Sequence, residues 1–356
     1  MSRKHLSRRN FLKGMGIAAT GASFANMTTF LPKRAFGQDA SDVMYSADLA
    51  LTPEEIEEIA SMNLRFGFNM NHRTDDFINQ VIAGGEAAAE DYGIELLVGE
   101  ANFDAAKQLS DVEALVQQEV DAIFMIAVDS DSISRAIIQA NEAGIPVVVV
   151  GGPPTRGDIL SLMNSTSYDG CFESCKFLVD SVGGAGKIGV ISIPLALSTI
   201  RDRETGTLDA IGESQMQLIG LQPVFSQDEA LAAAENMIQA HPDLTAIFAT
   251  WSLAVNGVLA AVEASGNDIK VSGYDAEVAG FMAFHEGNPN LLSLAGQQGR
   301  QQGVTGLDAL CKNILGQPVA SDILVPTVLV TADDYEEKWD ELYPGVDVPW
   351  ETEMDS

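Results

Sequence analysis

Ala122-Ile123-Phe124-Met125-Ile126-Ala127 is an unbroken apolar run, and a run of this length is typical of a strand that helices cover on both faces. A helical pattern follows over residues 132–143, and a second apolar run follows over residues 146–151. The same alternation of strand and helix extends over residues 64–285. The sequence therefore predicts an α/β chain with mostly parallel sheets.

The alternation occurs twice, and the break between its two halves falls near Asn164-Ser165-Thr166. We expect two doubly wound Rossmann-like lobes, and within the second a strand at residues 223–226. A strand, a helix, a strand and a closing helix follow residue 285, so the chain crosses three times between the lobes and these crossings form a hinge. The predicted segments are a lead-in at 38–63, a first lobe at 64–165 plus 296–325, a second lobe at 166–295 plus 326–345, and an acidic tail at 346–356.

The first 37 residues have the pattern of an export signal. Paired arginines, Arg8-Arg9, precede an apolar, glycine-rich run, and Ala35-Phe36-Gly37 is a small-x-small site for a signal peptidase. The alternative is a membrane anchor, but a spanning helix needs about 20 predominantly apolar residues, more than this run supplies. We expect residues 1–37 to be a twin-arginine signal peptide, and the mature protein to fold before export to the periplasm.

The charge of the chain excludes several kinds of partner. The sequence has 51 acidic and 20 basic residues, a net charge of -31. The signal holds seven basic residues and no acidic one, so its removal leaves a mature chain of charge -38. Such a surface repels nucleic acid and anionic membranes. Cys171, Cys175 and Cys311 are an odd set without metal-site spacing, and we interpret them as small buried residues rather than ligands or a disulfide framework.

Polar and aromatic side chains follow the predicted strands, where open α/β sheets bind their ligands. The candidate ligand-binding residues are Asn71, His72, Asp75, Asp76, Phe77, Asp129, Arg203, Trp251, Asp275 and Gln297. Carboxylates, amides and a guanidinium can bond neighbouring hydroxyl groups in pairs, and an aromatic ring can cover the C–H face of a sugar. The mixture indicates a small neutral sugar or polyol as the ligand, with no metal and no cofactor.

Over residues 64–331 the chain resembles the type I periplasmic binding proteins of the ribose and galactose class, the solute receptors of ABC importers. The stretches that carry the resemblance are Asp121 to Asp131, Ala140-Asn141-Glu142-Ala143-Gly144-Ile145-Pro146-Val147, Arg201-Asp202-Arg203-Glu204-Thr205-Gly206, Ala246-Ile247-Phe248-Ala249-Thr250 and Val271-Ser272-Gly273-Tyr274-Asp275. The resemblance implies a monomeric periplasmic receptor that closes on its ligand by hinge motion. It also implies delivery of that ligand to a permease in the inner membrane.

The resemblance assigns expected roles to several candidates. Asp76-Phe77 match a polar residue and a ring-stacking aromatic, and Arg203 matches an arginine that reaches ligand hydroxyls. Asp275 matches a carboxylate that follows a Gly-Tyr or Gly-Phe pair, and Trp251 stands where many relatives have asparagine. Gly151-Gly152 depart from the Asp-Arg pair of ribose-type relatives. A sugar other than ribose, or a polyol, is therefore the expected ligand.

Each candidate also has a structural interpretation. Phe77 and Trp251 suit a hydrophobic core, and Asp129 suits the cap of the helix that begins near Ser132. Arg203 and Asp275 are able to form a salt bridge between lobes in the empty protein. A sensory receptor of the same fold, feeding chemotaxis or a kinase, would share every one of these residues.

An enzyme is the less favoured class. Gly183-Gly184-Ala185-Gly186-Lys187 precedes a strand and lacks Ser or Thr after the lysine, which indicates a turn rather than a phosphate-binding loop. The common nucleophile-elbow and zinc-protease motifs are absent from the sequence, and it has four histidines. A glycan-processing enzyme, acting through paired carboxylates, is the distant alternative.

Overall fold

The computed structural model describes residues 43–74, 76–194 and 197–351. The predicted signal peptide, residues 1–37, and the candidate site residue Asp75 lie outside the described residues. Within the described part, no helix has both the length and the apolar character needed to cross a membrane.

Strands and helices alternate along almost the whole described chain. The elements up to the first crossing are β1 (Val43–Tyr45), α1 (Ser46–Leu49), α2 (Pro53–Ala60), β2 (Arg65–Met70), α3 (Asp76–Tyr92), β3 (Glu95–Glu100), α4 (Ala105–Gln117), β4 (Ala122–Ile126), α5 (Ile133–Glu142), β5 (Val147–Val150) and β6 (Ser161–Ser165). They continue as α6 (Ser167–Ser181), β7 (Ala185–Ser192), α7 (Ser198–Gly212), β8 (Gln215–Pro223), α8 (Gln227–Ala240), β9 (Leu244–Ala249), α9 (Ser252–Ser265), β10 (Lys270–Tyr274), α10 (Val278–His285) and β11 (Leu291–Gln297). The last elements are α11 (Gly299–Ile314), β12 (Asp322–Val325), β13 (Thr327–Thr331) and α12 (Tyr335–Leu342).

The strands form two separate sheets, one for each lobe. The first sheet has the order β1-β12-β6-β5-β4-β2-β3, and all of its strand pairs are parallel. The second has the order β13-β11-β10-β9-β7-β8 and is parallel except for the β11–β13 pair. The opening stretch forms β4, whose five residues are all buried. The predicted fold class of two doubly wound α/β lobes is confirmed.

The three crossings between the sheets lie side by side and are bonded to one another. They follow β6, β11 and β12, at Thr166, Gln298 and Pro326. The Thr166 hydroxyl accepts a hydrogen bond from Thr327 N at 2.9 Å, and Thr166 N donates to the Val325 carbonyl at 3.0 Å. The side-chain amide of Gln298 donates to the Pro326 carbonyl at 2.9 Å. The crossings therefore form one bonded hinge rather than three independent linkers.

Helices α3 and α11 pack closely because glycines line their contact. A Cβ added to Gly84 would collide with the carbonyl oxygen of Arg300, and one added to Gly303 would collide with the carbonyl oxygen of Val81. Helix axes approach this closely only where side chains are missing on the contact face. The contact matters for function because α3 carries two of the candidate site residues and α11 begins at the hinge.

We expect Gly84→Ala to destabilise the protein by about 1–3 kcal/mol, since its new methyl group overlaps backbone that cannot move without separating the two helices. Gly212→Ala is the matched control, because Gly212 is also helical and has nothing within 4 Å of its added Cβ. Urea unfolding of both variants measures the difference. An equal effect of the two substitutions would contradict the close packing.

Two strands differ from the sequence prediction. The strand predicted at residues 223–226 is wrong: the strand here is β8, which ends at Pro223. β8 is the edge of its sheet and bonds only to β7, so it needs no continuous apolar run, and its alternate exposed glutamines conceal it. β1, within the lead-in, was not expected at all, and it pairs with β12 at the edge of the first sheet.

Helix α2 is fixed to the first lobe through Glu55. Thr52 and Glu55 form a capping box, with Thr52 N donating to the Glu55 carboxylate at 2.7 Å. The same carboxylate accepts two bonds of 2.8 Å from Lys312 Nζ on α11 and a further bond from the Gln317 side chain. The bonds from Lys312, Thr52 and Gln317 lower the pKa of Glu55 to about 2.

This clamp predicts a specific loss of stability in acid. Glu55 has a lower pKa in the folded chain than its usual value of about 4.3, so its stabilising effect is complete above that value and lost as the pH falls towards about 2. We expect the difference in unfolding free energy between wild type and Glu55→Gln to be constant near neutral pH and to shrink below about pH 4.3. Glu58→Gln, on the exposed side of α2, should show no such trend. A difference that does not change with pH would refute the clamp.

The three cysteines are buried and free, which agrees with their interpretation as packing residues. Cys171 and Cys175 lie on α6 against the second sheet, and burial raises the pKa of both thiols. No group of three or more His, Cys, Asp or Glu side chains able to hold a metal ion occurs within the ranges given above.

Candidate functional site

The candidate site lies where the strand order of each sheet reverses. In the first sheet the chain passes from β2 to β3 on one side and then to β4 on the other. In the second sheet it passes from β7 to β8 and then to β9 on the opposite side. The crevice outside the carboxyl ends of strands at such a reversal is where open α/β sheets bind ligands. Most of the predicted residues follow β2, β4, β7 and β9.

In the second lobe, the candidate site residues are grouped around Arg203. Its side chain is nine-tenths buried on α7, and its guanidinium lies 4.0 Å from the centre of the Tyr274 ring. Nη1 donates to the Thr250 carbonyl at 3.0 Å and to Asp275 Oδ2 at 3.3 Å. This ion pair lies within the second lobe, so the alternative of a salt bridge between lobes is wrong. Burial acts to lower the pKa of Arg203, but the charge of the neighbouring Asp275 carboxylate outweighs burial and raises the pKa, so the group remains a cation.

One donor of this guanidinium is unused. Arg203 Nε is buried and has no hydrogen-bond partner among the described residues. A buried N–H without an acceptor is costly, so native structures rarely keep one unless another molecule supplies that acceptor. The arginine therefore holds a fixed position and has one buried donor that no described residue accepts.

Asp275 has a backbone conformation that orients its carboxylate. The residue follows β10 with a φ of 70°, a left-handed conformation that aspartate and asparagine adopt more readily than most side chains. Its N–H donates to the Ala295 carbonyl at 2.9 Å, while Oδ1 accepts from Gln297 Nε2 at 2.7 Å. Each carboxylate oxygen thus has a partner, Gln297 on one side and Arg203 on the other.

Phe77 of the first lobe lies close to Asp275 of the second lobe. It lines a cavity of about 10 Å³ together with Asp275 of the second lobe and Gln297 at the end of β11. Asp76, the preceding residue, accepts a long hydrogen bond of 3.4 Å from Val278 N, at the start of α10. Both residues stand at the beginning of α3, so this helix end faces the second lobe. The two lobes are in contact across the crevice.

Trp251 lies between β9 and α9, directly after the Thr250 carbonyl that Arg203 binds. Its ring packs against the hydrophobic core of the second lobe, as the structural interpretation proposed. The indole Nε1 is nevertheless buried without a partner in the described part of the chain. Trp251 thus combines a packing role with an indole N–H that no described residue accepts.

The remaining candidates serve local structure. Asn71 Oδ1 accepts from His72 N at 2.9 Å, and the buried His72 ring stacks on Phe103 at 4.2 Å. Asp129 accepts backbone bonds from Asp131 and Ser132 at 2.9 and 2.8 Å, which is the helix-capping alternative. Bonds from the Ser132 side chain and backbone lower the pKa of Asp129. Ligand contact by these three residues stays a prediction.

The sequence analysis missed several polar neighbours of Arg203. Glu204 Oε1 accepts from Ser192 Oγ at 2.6 Å, and Ser192 also accepts from the Thr250 hydroxyl at 3.3 Å. Ser192 and Thr250 are fully buried at the ends of β7 and β9. The signal was available, since polar residues at the end of an otherwise apolar strand mark the carboxyl edge of a sheet.

The pairing of Arg203 with Asp275 can be tested through stability. Arg203→Gln leaves the Asp275 carboxylate buried without its cation, and we expect a loss of about 3 kcal/mol in the unfolding free energy. The double variant with Asp275→Asn removes both charges and should lose less than the single variant. Denaturant unfolding measures both. A larger loss in the double variant would show that the two groups act independently.

Two α/β lobes with a crevice between them are the architecture of a two-lobed binding protein. The model of the periplasmic binding protein domain matches residues 66–318, so the chain belongs to that family. This confirms the resemblance drawn from the sequence.

Known proteins of this kind are similar over most of their length. The ribose import binding protein of Bacillus subtilis is 29% identical over 266 residues, which cover 74% of this chain and 86% of the relative. The xylitol-binding protein of Mycolicibacterium smegmatis is 24% identical over 264 residues, covering 73% of this chain and 75% of the relative. These relatives are binding proteins, which confirms the expectation that the chain is not an enzyme.

A solved structure agrees with the fold. The ABC transporter periplasmic solute binding protein of Actinobacillus succinogenes, with bound D-allose, superposes with a TM-score of 0.70 at 22% identity. The match covers 77% of this chain and all of that one. Its two-lobed architecture is the one described above.

Proposed function

We propose that this protein captures a small neutral sugar or polyol between its lobes and delivers it to an ABC import permease. The observation that carries the proposal is that Asp275, which pairs with the buried Arg203, lines one cavity with Phe77 of the other lobe. Among the described residues, Arg203 Nε has no hydrogen-bond partner. Relatives named for ribose and xylitol support this ligand class.

The chemistry of the crevice supports a hydroxylated ligand. A hydroxyl group both donates and accepts, so it can pair with the unused N–H of Arg203 and with a carboxylate oxygen at once. The face of Phe77 suits the C–H side of a sugar ring. Gly151 and Gly152 bring no side chain to the first lobe, so a ligand here lacks the Asp-Arg grip expected in ribose-type proteins.

Ligand capture proceeds by closure of the lobes about the hinge at Thr166, Gln298 and Pro326. A ligand that contacts Asp76 and Phe77 on one lobe and Arg203 and Asp275 on the other binds best when both lobes touch it. Its differential affinity for the closed form then shifts the balance towards closure. The permease distinguishes loaded from empty receptor by this closed form.

The proposal includes location and domain boundaries. The receptor works in the periplasm as a monomer, exported by the twin-arginine route through residues 1–37. The lobes comprise residues 64–165 plus 296–325 and residues 166–295 plus 326–345, with the lead-in at 38–63 and the acidic tail at 346–356. The family supports the periplasmic location. The boundary between residues 325 and 326 is supported because β12 belongs to the first sheet and β13 to the second.

Thermal unfolding of the mature protein with D-ribose, D-allose, xylitol and myo-inositol tests the ligand class. A sugar or polyol at 100 times its Kd should stabilise the folded state by about 2.7 kcal/mol and raise Tm. Arg203→Ala and Asp275→Asn should abolish that rise, because each removes a group that faces the ligand. Arg201→Ala is the matched control, since Arg201 is an exposed arginine on the same helix.

Mass spectrometry of the recovered sugar completes the experiment. Intact ligand is the expected result, and conversion to a product would overturn the assignment to a receptor. An unchanged rise in Tm for both Arg203→Ala and Asp275→Asn would refute the site.

A further inference from the structure

Gln302 is a buried glutamine that does not itself line the candidate ligand site. It lies on α11 in the first lobe with 1% of its surface exposed, among glycine and leucine neighbours on the buried face of that helix. Its Nε2 makes one hydrogen bond, while its Oε1 is buried without a partner in the described residues. A leucine or methionine would fill the same space without an unpaired oxygen. We therefore attribute the presence of glutamine here to its amide N–H donor.

The amide N–H of Gln302 begins an unbroken line of hydrogen bonds that ends at Asp275 in the candidate ligand site. Gln302 Nε2 donates to Ser165 Oγ at 2.6 Å, and Ser165 Oγ donates to Gln297 Oε1 at 2.8 Å. Gln297 Nε2 then donates to Asp275 Oδ1 at 2.7 Å. Every bond has the same direction, with the donor on the Gln302 side and the final acceptor a carboxylate.

This direction makes each group dependent on the one before it. The Ser165 hydroxyl has one proton, and the bond it accepts from Gln302 leaves that proton free to point at Gln297. The carbonyl of the Gln297 amide is held by that proton, so its NH₂ group is turned towards Asp275. Asp275 Oδ1 accepts from Gln297 while Oδ2 accepts from Arg203, and the carboxylate plane is thereby fixed.

The line also passes through the hinge. Ser165 is the last residue of β6 before the first crossing, and Gln297 is the last residue of β11 before the second. Gln302 lies in the first turns of α11, just beyond that second crossing. A change of hinge angle alters the backbone on either side of Thr166 and Gln298, and so changes the distances that this line requires.

We propose that Gln302 and Ser165 are positioning residues, which fix the Asp275 carboxylate through Gln297 and so couple ligand affinity to closure of the hinge. The inference rests on the proposed receptor function. It concerns side chains that do not touch the ligand.

The test compares Gln302→Met with Gln301→Met. Methionine has nearly the shape of glutamine but cannot donate. Gln301 is the neighbouring glutamine, and its side chain donates to Thr305 of the same helix at 3.1 Å. Calorimetric titration of both variants with D-ribose, D-allose, xylitol and myo-inositol measures Kd for each compound that wild type binds. We expect about three- to ten-fold weaker binding for Gln302→Met, as for loss of one neutral hydrogen bond, and wild-type Kd for Gln301→Met.

A second variant set separates positioning from general stability. Ser165→Ala should weaken binding as Gln302→Met does, and Ser165→Thr, which keeps the hydroxyl, should restore it. In the double variant Ser165→Ala/Gln302→Met the loss should equal that of Ser165→Ala alone, because the line is already broken. The ligand-free Tm of Ser165→Ala serves as the check that the fold is intact, should Gln302→Met unfold.

Three results would overturn the inference: an unchanged Kd in Gln302→Met, additive losses in the double variant, or failure of Ser165→Thr to restore binding. Failure of the proposed function is a different result, since wild type itself would then bind none of the four compounds.

Discussion

The hinge sets how the two lobes are placed relative to one another. The chain leaves one sheet for the other at Thr166, Gln298 and Pro326, and hydrogen bonds tie the three crossings into one unit. Three connections in one place allow the lobes to rotate about that place and restrict other relative motion. The candidate site residues of both lobes lie at or beyond the ends of strands. Their separation is therefore set by a single angle.

The buried charge of Arg203 determines which groups surround it in the second lobe. An arginine that is nine-tenths buried needs a carboxylate and further acceptors, and Asp275, the Thr250 carbonyl and the Tyr274 ring supply them. Removing either charge alone leaves the other without compensation. The pair consequently holds Arg203 rigid before any ligand arrives, which reduces the ordering that binding has to impose.

The sequence predicts the fold far better than it predicts the site. Strands such as β4 are recognised from their sequence, because a strand covered on both faces is a continuous apolar run. The edge strand β8 was misplaced, since its exposed glutamines break that pattern. In the site, Arg203, Asp275 and Gln297 were found from their positions after strands, whereas Ser165 and Gln302 were not. Their roles depend on one another across 137 positions of sequence, and only the folded hinge brings them together.

Charge then limits what this crevice can select. Arg203, the buried cation of the site, is already matched by Asp275, and the neighbouring Glu204 adds a further carboxylate that Ser192 holds in place. An anionic sugar would meet no uncompensated positive charge among these groups, and it would approach a chain of net charge -31. A neutral polyhydroxylated ligand meets neither obstacle, since its hydroxyl groups pair with donors and acceptors alike. The electrostatics of the Arg203 site therefore favour the same ligand class as its hydrogen-bonding pattern.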